Sequence, residues 1–144
     1  MGSLKLNSKS KLHFSKFSQI NGKHPFQRSC SDGFITYKAR KRHGGSLAFF
    51  NFDLAKEMGL IPQGHDCQMS SDLERTILDT FSIVIINEYD IENGIEYPKE
   101  DILPNNYMAT RYLQLQHPNK QGKTSGDGRS IWNGVVKHKG QTWD

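Results

Sequence analysis

The strongest structural signal in the chain is an amphipathic segment that runs directly into a β-branched one. In SSDLERTILDTF, residues 70–81, four apolar side chains share one helical face: Leu73, Ile77, Leu78 and Phe81. Ser71 followed by Glu74 predicts a capping box at the start of this helix. The next stretch, SIVIINEYD, is apolar and β-branched, so it is either a buried strand or a continuation of the helix. The pattern favours a mixed α+β fold.

Weaker signals lie on both sides of this segment. NFDLAKEMGL predicts a helix that begins near Asn51 or Asp53, with Asn51 as a cap and Gly59 as the stop. YMATRYLQLQ, residues 107–116, is a short helix or a strand, and HPNKQGKTSGDG is a polar loop. RSIWNGVVKHKGQTWD predicts a strand, a turn around Lys137–Gly140, and a second strand that the chain end interrupts. The predicted order is helices followed by an antiparallel sheet.

Charge divides the chain into two parts. Residues 1–45 contain ten Lys or Arg and one acidic residue, whereas residues 46–144 contain nine Lys or Arg and fourteen acidic residues. Like charges in a block are typical of a mobile tail or of a surface for polyanions. We therefore expect a basic, weakly ordered arm over residues 1–45 and a folded domain over 46–144. Within residues 1–33 few side chains should be buried, and three of them are the expected anchors: Phe14, Phe17 and Phe26.

Several functional classes have little support in the sequence. No apolar run approaches 18 residues, so we expect no membrane span. Two cysteines do not make a disulfide framework, and His65 with Cys67 is too small a set for a metal site. The basic stretch KARKRHGG, residues 38–45, lacks the interleaved aromatic residues and the fold motif of a nucleic-acid binder, which makes nucleic acid an unlikely partner.

The stretch QGKTSGDGR contains two glycine motifs. A Walker phosphate loop needs a glycine five positions before Gly122, where this chain has His117, and a helix after the lysine, where a strand is predicted. The Gly-Asp-Gly-Arg tetrad, residues 126–129, is different. Its glycines permit positive φ and close backbone approach, successive N–H groups can hold an anion, and Arg129 adds a cation suited to phosphate. Gly-Asp-Gly is also common in turns before strands, so a simple turn and a phosphate site both stay open as interpretations.

Three blocks of the sequence carry a resemblance to a known family. In chain order they are NFDLAKEMGL, YMATRYLQLQHPNKQG and GDGRSIWNGVVKHKGQTWD. Together, over residues 51–144, they resemble the N-terminal part of the selenoprotein O (YdiU-type) family, kinase-like proteins that transfer AMP to protein hydroxyls. The last block is the specific one. The resemblance implies that residues 46–144 are a partial kinase-like (pseudokinase) N-lobe, incomplete in this chain.

The resemblance also assigns candidate site residues. Gly126, Gly128 and Arg129 match the nucleotide-contacting residues of the family, and Asp127 matches in type with a structural role. The family's His-Gln-Phe-Gly segment is missing, although His117 stands nearby, and Asn133 replaces an acidic residue. The family's phosphate-holding lysine, catalytic aspartate and Mg²⁺ ligands would lie beyond Asp144. The chain is therefore expected to hold no catalytic residue and no metal ligand, with ATP and Mg²⁺ as cofactors of the whole protein.

Two functions follow as expectations. The first is an N-terminal fragment of a protein adenylyltransferase, which transfers AMP from ATP to Ser, Thr or Tyr hydroxyls, contributes part of the nucleotide site and is inactive alone. Its partners would be ATP, protein substrates and the remainder of the same protein, in the cytoplasm or in the mitochondrion of a eukaryote. The alternative is a non-enzymatic binding module whose basic arm engages an anionic partner. Binding through such an arm would weaken steeply with salt.

Overall fold

The computed structural model describes residues 13–114 and 123–144, and for residues 112–114, 123–125 and 127–130 it describes the backbone alone. The described part is a mixed α+β fold, as the sequence predicted. The predicted order of helices followed by a sheet is wrong, because strands at Phe34–Tyr37 and Ala39–Lys41 precede three of the four helices. It contains four helices: α1 Phe26–Ser29, α2 Phe52–Glu57, α3 Ser71–Phe81 and α4 Glu88–Glu92. Two short 3₁₀ segments complete the helical structure: Ser15–Gln19 and Lys99–Asp101.

The strands form three small antiparallel sheets. The largest has the order β1-β4-β5, with β1 Phe34–Tyr37, β4 Tyr107–Gln114 and β5 Lys123–Trp132. The second pairs β2 Ala39–Lys41 with β3 Ile83–Ile85. The third is a hairpin of β6 Val136–His138 and β7 Gln141–Trp143.

The pairing of β4 with β5 has one large irregularity. Ala109 lies opposite Ile131, but the next residue of β4, Thr110, lies opposite Asp127. Residues 128–130 therefore have no partner in the β4–β5 register. We call residues 128–130 the β5 bulge. A bulge locally bends and twists its strand and takes backbone groups out of the ladder.

The helix caps are local features, and the sequence located some of them. The side chain of Asn51 accepts a hydrogen bond from the N–H of Leu54 (3.0 Å), and Gly59 follows α2 with a φ of 69°, as expected. Ser70, not Ser71, caps α3, because its hydroxyl accepts from the N–H of Leu73 (3.2 Å). The predicted box of Ser71 and Glu74 is therefore wrong by one residue, since two adjacent serines offered two starting points.

The β-branched stretch after α3 is a strand, and the helix does not continue. Ser82 ends α3, and Ile83–Ile85 pair with Ala39–Lys41. Ile85 is buried against Tyr37 and Ala109, so its burial depends on the neighbouring sheet. A true capping box forms just beyond, where Asn87 and Asp90 exchange hydrogen bonds at the start of α4.

The tetrad does not lie in a turn. Residues 123–128, predicted as the end of a polar loop, belong to β5, and 117–122 lie outside the described residues. The reason is cross-strand pairing, because strand preference depends on the neighbouring strand more than on the residue itself. The predicted turn near the chain end is confirmed. Lys139 and Gly140, with φ of 48° and 78°, connect β6 to β7 as a two-residue loop with both central φ angles positive.

The main core includes residues of the expected basic arm, and two of the three expected anchors, Phe14 and Phe17, are buried in it. Phe14, Phe17 and Ile20 are buried and repeat every three residues, so the 3₁₀ segment presents them on one face. They pack in one cluster with further buried residues: Ala55, Leu60, Ile61, Leu73, Ile77 and Val136. β1, also within residues 1–45, pairs along its whole length with β4. Residues 13–45 thus belong to the same packed unit as the rest, while residues 1–12 lie outside the described part.

Candidate functional site

The candidate site is the segment of β5 that carries the tetrad. Gly126 lies opposite Arg111 and Asp127 opposite Thr110, the last paired position before the β5 bulge. Gly128 and Arg129 lie in the bulge itself, and Ser130 completes it. The strand thus divides the tetrad into a paired half and an unpaired half. The side chain of Arg129 lies outside the described residues.

Gly126 is required for packing. The positive φ expected at one of the two tetrad glycines is not found at Gly126. A β-carbon added there would overlap the ring of Tyr37 and would lie 2.7 Å from its hydroxyl and 2.9 Å from Cβ of Ala109. Carbon atoms in contact normally lie about 3.5–4.0 Å apart. Glycine therefore serves here to admit the tyrosine ring.

A relay of two hydrogen bonds joins Gly126 to α4. The N–H of Gly126 donates to the hydroxyl oxygen of Tyr37 at 2.5 Å, and the hydroxyl of Tyr37 donates to Oε1 of Glu88 at 2.5 Å. The tyrosine is buried, with 6% of its surface exposed. Burial, followed by the hydrogen bond to Glu88, raises the pKa of Tyr37 to about 12, although the Gly126 N–H partly opposes the shift. Tyr37 is therefore a neutral hydrogen-bond donor over the whole physiological range.

Several elements hold this relay in place. Tyr37 ends β1, and its ring reaches across β4 at Ala109, which is completely buried. Glu88 is the first residue of α4, whose start is set by the capping box of Asn87 and Asp90. The helix is further tied down by Tyr97, whose hydroxyl donates to Oδ1 of Asp90 at 3.1 Å. The guanidinium of Arg40 lies 4.0 Å from the centre of the Tyr97 ring, a cation–π contact.

Aromatic side chains cover the other face of the sheet beside the β5 bulge. Trp132 follows the bulge and stacks on Phe26, with ring centres 5.3 Å apart and an interplanar angle of 22°. Phe34 lies opposite Thr110 at the edge of the register break, and its ring centre is 6.3 Å from that of Phe26. His24 is 6.3 Å from Trp132 and pairs with Asp144 at 3.0 Å. These rings are half-buried, so part of their surface can accept another planar group.

Sequence reasoning missed Tyr37, Glu88 and the aromatic residues around Trp132. Nothing near Tyr37 in the sequence marks it, because its partners Glu88 and Gly126 are 51 and 89 positions away. The sequence did single out Gly126, Gly128 and Arg129, which the fold keeps together. His117, considered as a substitute for the family's histidine, lies outside the described residues.

The His65–Cys67 pair has other contacts. The ring of His65 stacks on Phe52 with centres 5.8 Å apart, and Nζ of Lys56 lies 3.0 Å from Sγ of Cys67. Across residues 13–114 and 123–144, no three side chains of metal-binding type converge. Nor does this part of the chain contain a helix both long enough and apolar enough to cross a membrane.

Comparison with known proteins gives no relative for this chain: no family model, curated protein or solved structure matches it.

Proposed function

We propose that residues 126–130 form one wall of a nucleotide site, and that the chain is part of a protein adenylyltransferase with a kinase-like fold. The nucleotide would be ATP, with its phosphates against the β5 bulge. AMP would be transferred to a Ser, Thr or Tyr hydroxyl of a protein substrate, in the cytoplasm or in the mitochondrion of a eukaryote. The sequence resemblance of the tetrad block motivates this proposal.

The register break in β5 is the observation that carries the proposal. It takes the three residues of the bulge, two of them from the tetrad, out of the ladder with β4. Backbone N–H groups released from a ladder need another partner, and a phosphate oxygen is one such partner. Arg129, whose backbone lies in the same bulge, carries a guanidinium, a group that can bind two phosphate oxygens through parallel N–H groups. Gly128 keeps the backbone open to close approach.

Two further features support the same interpretation. The β1-β4-β5 sheet is antiparallel, as is the sheet of a kinase-like N-lobe. The half-buried rings of Phe26, Phe34 and Trp132 lie beside the bulge and could stack on an adenine. These features support a site in which the phosphates of ATP bind the bulge and its adenine stacks on the rings.

The chain's share of the chemistry is binding. The resemblance assigns the catalytic aspartate and the Mg²⁺ ligands to other segments of such an enzyme. Metal ions and a positioned base carry most of the rate in transfer from a nucleotide. We therefore expect this chain by itself to bind ATP weakly and not to transfer AMP.

The proposal is tested by titrating ATP into the chain and following backbone amide resonances. We expect the amides of residues 128–130 to shift, and Arg129→Ala to weaken binding about tenfold or more, as for loss of a charge-assisted hydrogen bond. Arg42→Ala is the matched control, because Arg42 is exposed and has the same charge but lies in the basic segment before α2. Arg42→Ala should leave ATP binding unchanged.

The same titration examines the alternative, a binding module for an anionic partner. If binding falls equally in both variants and declines steeply with salt, the basic segment is the binding surface and the nucleotide site is wrong. If ATP shifts no resonance in residues 128–130, the proposal fails outright.

A further inference from the structure

We infer that Tyr37 and Glu88 are positioning residues that hold the β5 bulge in its ligand-binding form, and that Gly126 acts by admitting Tyr37 rather than by contacting the nucleotide. This inference rests on the proposed function and names residues outside the tetrad. Neither Tyr37 nor Glu88 would contact the ligand itself.

The first step concerns the single donor of Gly126. A residue has one backbone N–H, and that of Gly126 is committed to the hydroxyl of Tyr37 at 2.5 Å. A phosphate oxygen could accept a hydrogen bond from this N–H only after the bond to Tyr37 is broken. Because Gly126 also lies opposite Arg111 in regular register, it belongs to the paired half of the tetrad. The ligand-binding half is therefore residues 128–130.

The second step concerns where the bulge begins. The ring of Tyr37 crosses β4 at Ala109 and fills the space that a side chain at 126 would occupy. A larger residue at position 109 or 126 would exclude the ring. The small size of Ala109 and Gly126 is therefore what allows the ring to occupy this place. Ala109 is also the residue at which the β4–β5 register breaks. Tyr37 thus bonds to Gly126 of β5, which lies before the bulge, and packs against Ala109 of β4, which lies opposite the residue after the bulge. Contacts on both sides of the bulge oppose a change of register in either strand.

The third step concerns the direction of the hydroxyl. A tyrosine hydroxyl can rotate to donate in different directions, and here it donates its hydrogen bond to the carboxylate of Glu88. The oxygen lone pairs then remain for the N–H of Gly126. Glu88 itself is held by the capping box at the start of α4. Thus α4 positions Glu88, Glu88 orients the hydroxyl of Tyr37, and Tyr37 in turn holds Gly126 and the bulge.

The test compares Tyr37 with an exposed tyrosine. Tyr37→Phe keeps the ring and removes the bond to Gly126, whereas Tyr89→Phe removes the hydroxyl of a residue on α4 that is 66% exposed. We expect Tyr37→Phe to accelerate hydrogen exchange at the Gly126 amide and to weaken ATP binding about tenfold. Tyr89→Phe should change neither quantity more than twofold. Glu88→Gln keeps an acceptor oxygen and should bind ATP within about threefold of the original chain, while Glu88→Ala should match Tyr37→Phe.

Each outcome decides between the two proposals. If the unmodified chain does not bind ATP, the proposed function fails and the inferred role ends with it. If it binds ATP and Tyr37→Phe binds equally well, only the positioning role is overturned. Equal weakening by Tyr37→Phe and Tyr89→Phe would also overturn it, since general destabilisation would explain both. A larger ATP-induced shift at Gly126 than at residues 128–130 would show direct contact by Gly126 and contradict the inference.

Discussion

Tyr37 and Gly126 are 89 positions apart in the sequence, yet the tyrosine hydroxyl accepts a 2.5 Å hydrogen bond from the glycine N–H. Through this contact the ring of a residue in β1 reaches across β4 to β5. The contact explains by packing why position 126 is a glycine, and it is the reason that the β5 bulge alone is proposed to bind the ligand. Two predictions concern this contact, and two concern the start of α3 and the main core.

Gly126→Ala should destabilise the fold by about 1–3 kcal/mol, the usual cost of forcing extra volume into a packed site. The added methyl would overlap the ring of Tyr37 and press on Ala109. Gly64→Ala is the matched control, because no atom lies within 4 Å of a β-carbon added there. Urea unfolding measures both free energies. A cost for Gly126→Ala that equals that of Gly64→Ala would contradict the packing role.

Stability should fall between pH 10 and 12 through Tyr37. Its folded pKa of about 12 lies above the unfolded value of 10.0, so its contribution is complete below pH 10 and is lost as the pH rises through 12. The shift corresponds to about 2–3 kcal/mol. Phenylalanine cannot ionise, so the unfolding free energy of Tyr37→Phe should decline less steeply over this interval. Parallel pH profiles for the two proteins would rule out the raised pKa.

Ser70→Ala should cost about 1 kcal/mol of unfolding free energy, because the Ser70 hydroxyl satisfies the N–H of Leu73 at the start of α3. Ser71→Ala should change this energy by less than about 0.5 kcal/mol, as for an exposed residue without such a bond. Thermal or urea unfolding of the pair identifies the cap. The reverse ranking would restore the capping box of Ser71 and Glu74.

Phe17→Ala should destabilise the fold by about 3–5 kcal/mol, because the ring is 3% exposed and packs in the core with α3 and β6. Phe49→Ala is the control, since Phe49 is 81% exposed and should have an effect below about 0.5 kcal/mol. Equal stability of the two variants would mean that the 3₁₀ segment belongs to a loose arm after all. Unfolding monitored by circular dichroism measures both.

The sequence by itself determined the features that depend on neighbours within about four residues. The Asn51 cap, the stop at Gly59 and the Lys139–Gly140 turn were predicted because a side-chain oxygen or a positive φ acts locally. The mixed α+β class was also predicted, since the change from helical to β-branched pattern after Phe81 is visible in the sequence. The one-residue error at the start of α3 arose because Ser70 and Ser71 are adjacent and the local sequence is compatible with either as the cap.

Only the tertiary structure decided the features that depend on distant partners. The tetrad became part of a strand because β4 pairs with it, although glycine and aspartate favour turns. Phe17 was expected as an anchor from its apolar side chain, but only the packing of α3 and β6 against it decided that it belongs to the main core. Tyr37 and Glu88 entered the site through the folding of β1, α4 and β5 against one another. Cross-strand pairing and packing connect residues tens of positions apart, and no local pattern encodes such contacts.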